Sequence, residues 1–330
     1  MNDIIVSTWG IGPTYRARIK DNILKAIGTG YDKILPYIIL TDKPSDFLDL
    51  QKETGLIKAI INIHEEREKY SLWSKDKEYI PLLDGDDYGR DYREQNWKYS
   101  KFFSYGLHRF ALPTISNLGY NKFLICDSDV DIRYDKIMSG ETTEKEFWEQ
   151  FNTPPNTLKG CDYEKVPLLE NNKYNCRVIF LANIIRYSLG EKFPQYKPNL
   201  DCLKPETTQT EGPFRYYHLR NSEDVLNYFR LWDEGMRISL SNPLLKSHTT
   251  PGAYMSIDNT QFSVACEAMG INIENFSKFW HTVNVYKKDR HFFPIGHVIE
   301  VEGEMLSLQP ADSLEEFEII NAKLIKHLGI

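Results

Sequence analysis

Residues 122–132, KFLICDSDVDI, decide how this chain is read. Four of its first five residues are apolar or aromatic, and the run then gives way to Asp127, Asp129 and Asp131. Successive side chains of an extended chain point to opposite faces, so acids spaced by two share a face, roughly 6.6 Å apart. Three bare carboxylates that close repel one another and shift each other's pKa. Either open water or a hard divalent cation offsets this, and carboxylate oxygens suit Mg²⁺ or Mn²⁺. In open α/β sheets ligands bind outside the carboxyl ends of strands, which is where these acids fall.

The chain upstream supplies such a sheet. DIIVST (3–8) reads as a strand closed by the turn WGIGP, and 14–30 as a helix with Ile19, Ile23, Leu24 and Ile27 at helical spacing. KILPYIILTD (33–42) reads as a second strand, 47–55 as a helix and LIKAIINI (56–63) as a third strand. Alternating strands and helices predict a parallel, doubly wound sheet. Residues 64–98 are dense in charge, Tyr and Trp, and read as an excursion or lid. The spacing predicts a helix over 97–119, with Phe102, Phe103, Leu107 and Phe110 or Ala111 on its buried face. Further on, 176–184 reads as a strand, 222–235 as a helix capped by Ser222, and 256–270 as a helix ending at Gly270. We divide the chain into a half ending with the acidic strand (1–135) and a second half (136–330), within one compact domain.

Bulk composition narrows the class. With 330 residues, 41% hydrophobic, the chain can bury a substantial core. A net charge of -7 argues against a dedicated nucleic-acid binder. The five cysteines include no CxxC pair, so neither a zinc site nor a disulfide framework is expected, and a reducing, cytoplasmic compartment is the simpler reading. No apolar stretch approaches the ~20 residues that span a membrane.

Three protein classes use such an acidic run. A calcium loop of the EF-hand kind needs Gly at its sixth position and Glu at its twelfth. Counted from Asp127, those places hold Ile132 and Met138, which excludes it. A haloacid-dehalogenase-like, Mg²⁺-dependent phosphohydrolase also opens with a strand and DxD. Its later acidic motif should follow the DxD, whereas GDDYGRD (85–91) precedes it here, and Asp131 stands where Thr or Val is expected. The third class fits better. FLICDSDVDI, together with IIVSTWG, YIILTD and WKYSKFFSYGL, resembles the GT-A superfamily of nucleotide-sugar glycosyltransferases, in a glycogenin-like or blood-group-transferase-like form.

That resemblance implies a GT-A-like, Rossmann-type, mostly parallel central sheet flanked by helices, with an acceptor-side C-terminal half. It implies a Mn²⁺ (or Mg²⁺) ion on the diphosphate of a nucleotide sugar, a UDP-sugar being favoured and retention preferred to inversion. Asp129 would ligate the metal directly. Asp127 would ligate it or hold the ribose, with Ser128 between them at the donor. A third ligand would come from a C-terminal histidine, His281 ahead of His291 and His297, because Trp280 beside it could stack on a sugar. Ser7, Thr8, Trp9 and Asp42 would contact base and ribose. Lys101, ahead of Lys98 and Arg109, would reach the phosphates. On the acceptor side, Asp258 and Asn259 would serve catalysis and Gln261 and Trp280 would bind the acceptor. That acceptor would be a glycan or protein, or a modified DNA base in a phage setting.

Overall fold

A computed structural model of the chain describes residues 3–65, 107–128, 130–160, 163–167, 185–186, 188–196, 206–210, 214–241, 264–276, 291–293, 297–301 and 304–308. The first elements are β1 (Ile4–Gly10), α1 (Pro13–Gly28), β2 (Tyr37–Thr41), α2 (Leu48–Thr54) and β3 (Ile57–Asn62). A 3₁₀ turn over Leu107–Ala111 leads into α3 (Leu112–Asn117), β4 (Lys122–Cys126), β5 (Val130–Ile132), α4 (Tyr134–Met138), α5 (Glu144–Glu149) and β6 (Thr157–Gly160). Then come β7 (Tyr163–Pro167), β8 (Glu206–Thr210), β9 (Phe214–His218), α6 (Ser222–Ser241), β10 (Asn272–Asn275), β11 (His291–Phe293), β12 (His297–Val301) and β13 (Glu304–Leu308).

Among the described residues, seven strands form one sheet in the order β10-β6-β9-β4-β1-β2-β3. β1 pairs in parallel with β2 and β4, β2 with β3, and β6 with β10; β9 runs antiparallel to both β4 and β6. The sheet is therefore mixed, with one reversed strand in its middle rather than the uninterrupted parallel array of a Rossmann sheet. Three further two-stranded pairings, β5 with β11, β7 with β8 and β12 with β13, stand apart from it.

Both faces of the sheet are covered, which explains why its central strands read as continuous apolar runs. Ile5, Trp9, Phe123, Ile125 and Tyr217 face a core completed by Ile115 of α3, by Tyr228 and Trp232 of α6, and by Val264 and Cys266. Ile4, Val6, Leu124 and Tyr216 face the opposite core, with Ile19, Ile23 and Ala26 of α1 and Phe147 of α5. α1 thus buries Ile19, Ile23 and Ala26, while Leu24 and Ile27, also expected on that face, are exposed. Phe123 and Tyr217 stack across the β4–β9 pair at 4.6 Å.

Several local readings shift. β1 runs through Trp9 and Gly10, two residues into the expected turn. β2 starts only at Tyr37, after Pro36, which has no amide to give a ladder. The described part of the expected 97–119 helix is two pieces, because Pro113 stands in the first turn of α3, where a missing N–H costs nothing. α6 is capped by Asn221, whose side chain accepts from the Asp224 amide at 2.9 Å, and Ser222 is its first helical residue. The 176–184 strand lies outside the described residues. Among the described residues, no helix is long and apolar enough to cross a membrane.

Candidate functional site

The chain winds outward from β1 to β2 and β3, then returns to place β4 on the other side of β1. That reversal makes the carboxyl ends of β1 and β4 a topological switch point, the crevice where open α/β sheets bind ligands. β1 delivers Trp9 there, and β4 delivers Asp127 one residue past its end.

The acidic run does not stay extended. β4 stops at Cys126, and the Val130 amide bonds back to the Asp127 carbonyl at 3.1 Å. Asn22 of α1 fixes this turn by donating from Nδ2 to the carbonyls of Ser128 (3.3 Å) and Val130 (3.1 Å). Asp127 and Asp131 therefore do not line one continuous strand face. The Asp127 side chain is 41% exposed, whereas Asp131, within β5, is 6% exposed. Asp129 lies outside the described residues.

Among the described residues, two donors hold Asp127. Trp9 Nε1–H donates to its Oδ1 at 3.0 Å. His108 Nε2 reaches the same oxygen at 3.2 Å, and must be the donor because an ionised carboxylate only accepts. Oδ2 accepts no hydrogen bond among the described residues. Partial withdrawal from water alone would raise the Asp127 pKa, but the His108 and Trp9 hydrogen bonds and the nearby Arg215 charge hold it below the usual carboxylate value. His108 is itself 9% exposed, and its Nδ1 is buried with no hydrogen-bond partner among the described residues. Trp9 packs on Tyr15 at 5.0 Å between ring centres.

Other expected contacts are placed differently. Ser7 and Thr8 are buried within β1, at 0% and 5% exposure. Thr8 faces α1 and lines a small cavity with Asn22, Tyr37 and Val130. Ser128 is buried at 1%. Asp42 is spent inside the fold: Arg16 Nη1 donates to both its oxygens at 2.8 and 2.7 Å, and the Gly12 amide approaches both at 3.3 Å. The first strand-to-helix turn therefore gives the Gly12 amide to an internal carboxylate. Arg109 is also committed, donating from Nε to Asp233 of α6 at 3.0 Å with 1% exposure. Lys101, Asp258, Asn259, Gln261, Trp280 and His281 lie outside the described residues, as do 66–98 of the expected lid. The backbone of His291 lies in β11, in register with Val130 of β5.

Sequence reasoning missed His108, Asn22 and Arg215. His108 carried a usable signal, since His108-Arg109 interrupts an otherwise apolar run, LHRFAL, and a polar pair in such a run needs partners. Asn22 looked like one more polar position on a helix, and Arg215 falls in a stretch, 215–221, that periodicity left without an element. Among the described residues, no group of three or more His, Cys, Asp or Glu side chains gathers to hold a metal.

No family model matches the chain, and no curated protein matches it. Solved structures show distant likenesses. The bifunctional glycosyltransferase WbbM, in its apo form, aligns with TM-score 0.35 and 13% identity over 79% of this chain; the chain spans little more than a third of its length, 37%. The galactosyltransferase LgtC, in complex with donor and acceptor sugar analogues, aligns with TM-score 0.40 and 12% identity over 82% of this chain and 72% of its own. Core-mannan synthase A (CmsA/Ktr4) from Aspergillus fumigatus, in its Mn/GDP form, aligns with TM-score 0.42 and 13% identity over 100% of this chain and 86% of its own. Likenesses this distant carry no reaction or substrate over to this chain.

Proposed function

We propose that the chain is a metal-dependent glycosyltransferase that moves a sugar from a nucleotide-sugar donor, a UDP-sugar in the first instance, to an acceptor hydroxyl. The observation that carries this is the Asp127 carboxylate at the β1/β4 switch point, kept ionised, with Oδ1 fixed by Trp9 and His108 and Oδ2 taking no hydrogen bond among the described residues. That arrangement suits a hard divalent cation, Mn²⁺ or Mg²⁺, since it offers an oriented, charged oxygen ligand. Asp127 and Asp129 would hold the ion. A histidine from the C-terminal segment would join them: His281, or His291, whose backbone pairs beside Val130. The ion, when bound, would supply Lewis-acid stabilisation of charge on the leaving diphosphate.

The remaining roles belong to the chain's own side chains. The Trp9 ring, at the end of β1, would form one wall of the donor site. With Asp42 and Arg109 committed to ion pairs, phosphate contact would fall to Lys101 or Lys98. Asp258 and Asn259 would act at the reacting centre, with Gln261 and Trp280 on the acceptor, a glycan or protein before DNA. A base there must come within hydrogen-bond reach of the acceptor hydroxyl.

Thermal-shift assays with UDP, GDP, CDP and ADP, each with and without Mn²⁺, test the donor site. The expected result is a shift that needs one nucleotide and Mn²⁺ together and disappears in Asp127→Asn; at a hundred times Kd the stabilisation is about 2.7 kcal/mol. No shift with any nucleotide in folded protein overturns the proposal. Mg²⁺-dependent hydrolysis of p-nitrophenyl phosphate that is lost in Asp127→Asn would transfer the site to a phosphohydrolase.

A further inference from the structure

We infer that His108 and Trp9 are positioning residues for Asp127, which seize its Oδ1 from two sides so that Oδ2 alone is presented to a divalent cation. The inference rests on the metal site proposed above. The two donors come from separate parts of the chain, Trp9 from β1 and His108 from the 3₁₀ turn, 118 and 19 residues away from Asp127. Both reach the same oxygen, at 3.0 and 3.2 Å. A carboxylate on a chain end can otherwise rotate about its last bond and trade one oxygen for the other. Two donors on one oxygen remove that freedom, and a ligating carboxylate held by hydrogen bonds is preorganised for its ion.

The burial of His108 separates this role from mere packing. Its Nδ1 is buried without a partner among the described residues, an arrangement that an apolar side chain of similar size would avoid. Its Nε2 is spent on a carboxylate that is 41% exposed and that water could solvate instead. Folding stability gains little from this pairing. What it secures is the orientation of Asp127. The imidazole and the indole also suit the task because each is rigid and offers one N–H at a fixed angle, unlike a flexible lysine.

The test is Mn²⁺ binding, followed by the electron paramagnetic resonance signal of the free ion, to the full chain with and without UDP. The proteins are wild type, Asp127→Asn, His108→Leu, His108→Gln and Trp9→Phe, each with a thermal melt. Expected are loss of binding in Asp127→Asn and affinity about 10- to 100-fold weaker in His108→Leu and Trp9→Phe, the usual effect of removing a partner of a metal ligand. His108→Gln, whose amide N–H can reach where Nε2 does, recovers most of the affinity, and the His108→Leu melt stays at or above that of wild type. Binding in His108→Leu and Trp9→Phe equal to wild type overturns the positioning role and leaves Asp127 as a ligand. Should His108→Leu fail to fold, Trp9→Phe decides the matter alone. No Mn²⁺ binding by the wild type under either condition removes the metal site itself, and the positioning role with it.

Discussion

Replacing Arg16 with Met should destabilise the protein more than its position, on the first helix of the chain, would suggest. Arg16 is 3% exposed and its guanidinium serves two acids. Nη1 spans both oxygens of Asp42, and Nε donates to Asp46 at 2.8 Å. Asp42 in turn receives the Gly12 amide at the start of α1, so one cation ties the ends of β1 and β2 to that helix. Methionine fills much of the same space, so little cavity opens. What remains is the Asp42 carboxylate, 6% exposed and without its counter-charge. Breaking a buried pair in this way costs about 3–5 kcal/mol, because the orphaned charge stays buried. The companion double variant, Arg16→Met with Asp42→Asn, isolates that term, since the amide carries no charge to strand. Urea or thermal unfolding should therefore rank the double variant above Arg16→Met alone. A loss below about 1 kcal/mol in Arg16→Met, or a double variant weaker than the single one, would refute the reasoning and show that the pair behaves as a solvated one.

Three more outcomes follow from the same structure. A Cβ at Gly10 would meet Ile19 Cδ1 at 3.0 Å and the Arg16 Cα at 3.2 Å, so Gly10→Ala should lift α1 off β1 and cost about 1–3 kcal/mol by chemical denaturation. Burial holds the His218 pKa below its ordinary value, against the Thr153 carbonyl that accepts from Nδ1 at 2.7 Å. The unfolded chain then binds the proton more readily, so this contribution is present above about pH 6.5 and lost as pH falls toward the folded pKa; melts across that range should show a slope that His218→Gln lessens. Burial pushes the Cys266 thiol up to about 12 despite the Tyr228 hydroxyl beside it, so peptide mapping after iodoacetamide should find Cys266 unmodified in folded protein and modified in urea.

Much of the N-terminal half was legible from periodicity alone. Apolar alternation and helix punctuation located β1 to β3, α1 and α2, and the apolar run ending in acids located β4 and the crevice at its end. What sequence could not show was long-range. Arg109 looked like a phosphate contact because its partner, Asp233, lies 124 residues away. Asp42 looked like a base or ribose contact because nothing in the sequence joins it to Arg16. The run 127–131 looked extended because period two holds only while the ladder lasts, and the ladder ends at Cys126, where Asn22 claims the carbonyls that follow. The direction of β9 is invisible to periodicity, since a strand reads the same way whichever way its neighbour points.

That reversed strand also sets a schedule for synthesis. β4 cannot close its outer edge until β9 emerges, roughly 90 residues later, and β6, made in between, has no place in the sheet before then. At translation rates of about 5–20 residues per second, an apolar edge stays open for roughly 5–20 seconds on the ribosome. Open edges of this kind recruit other strands. The interval between Cys126 and Phe214 is therefore the period in which this chain most needs a chaperone, and a strand-breaking change in β9 should show first as aggregation of the nascent protein.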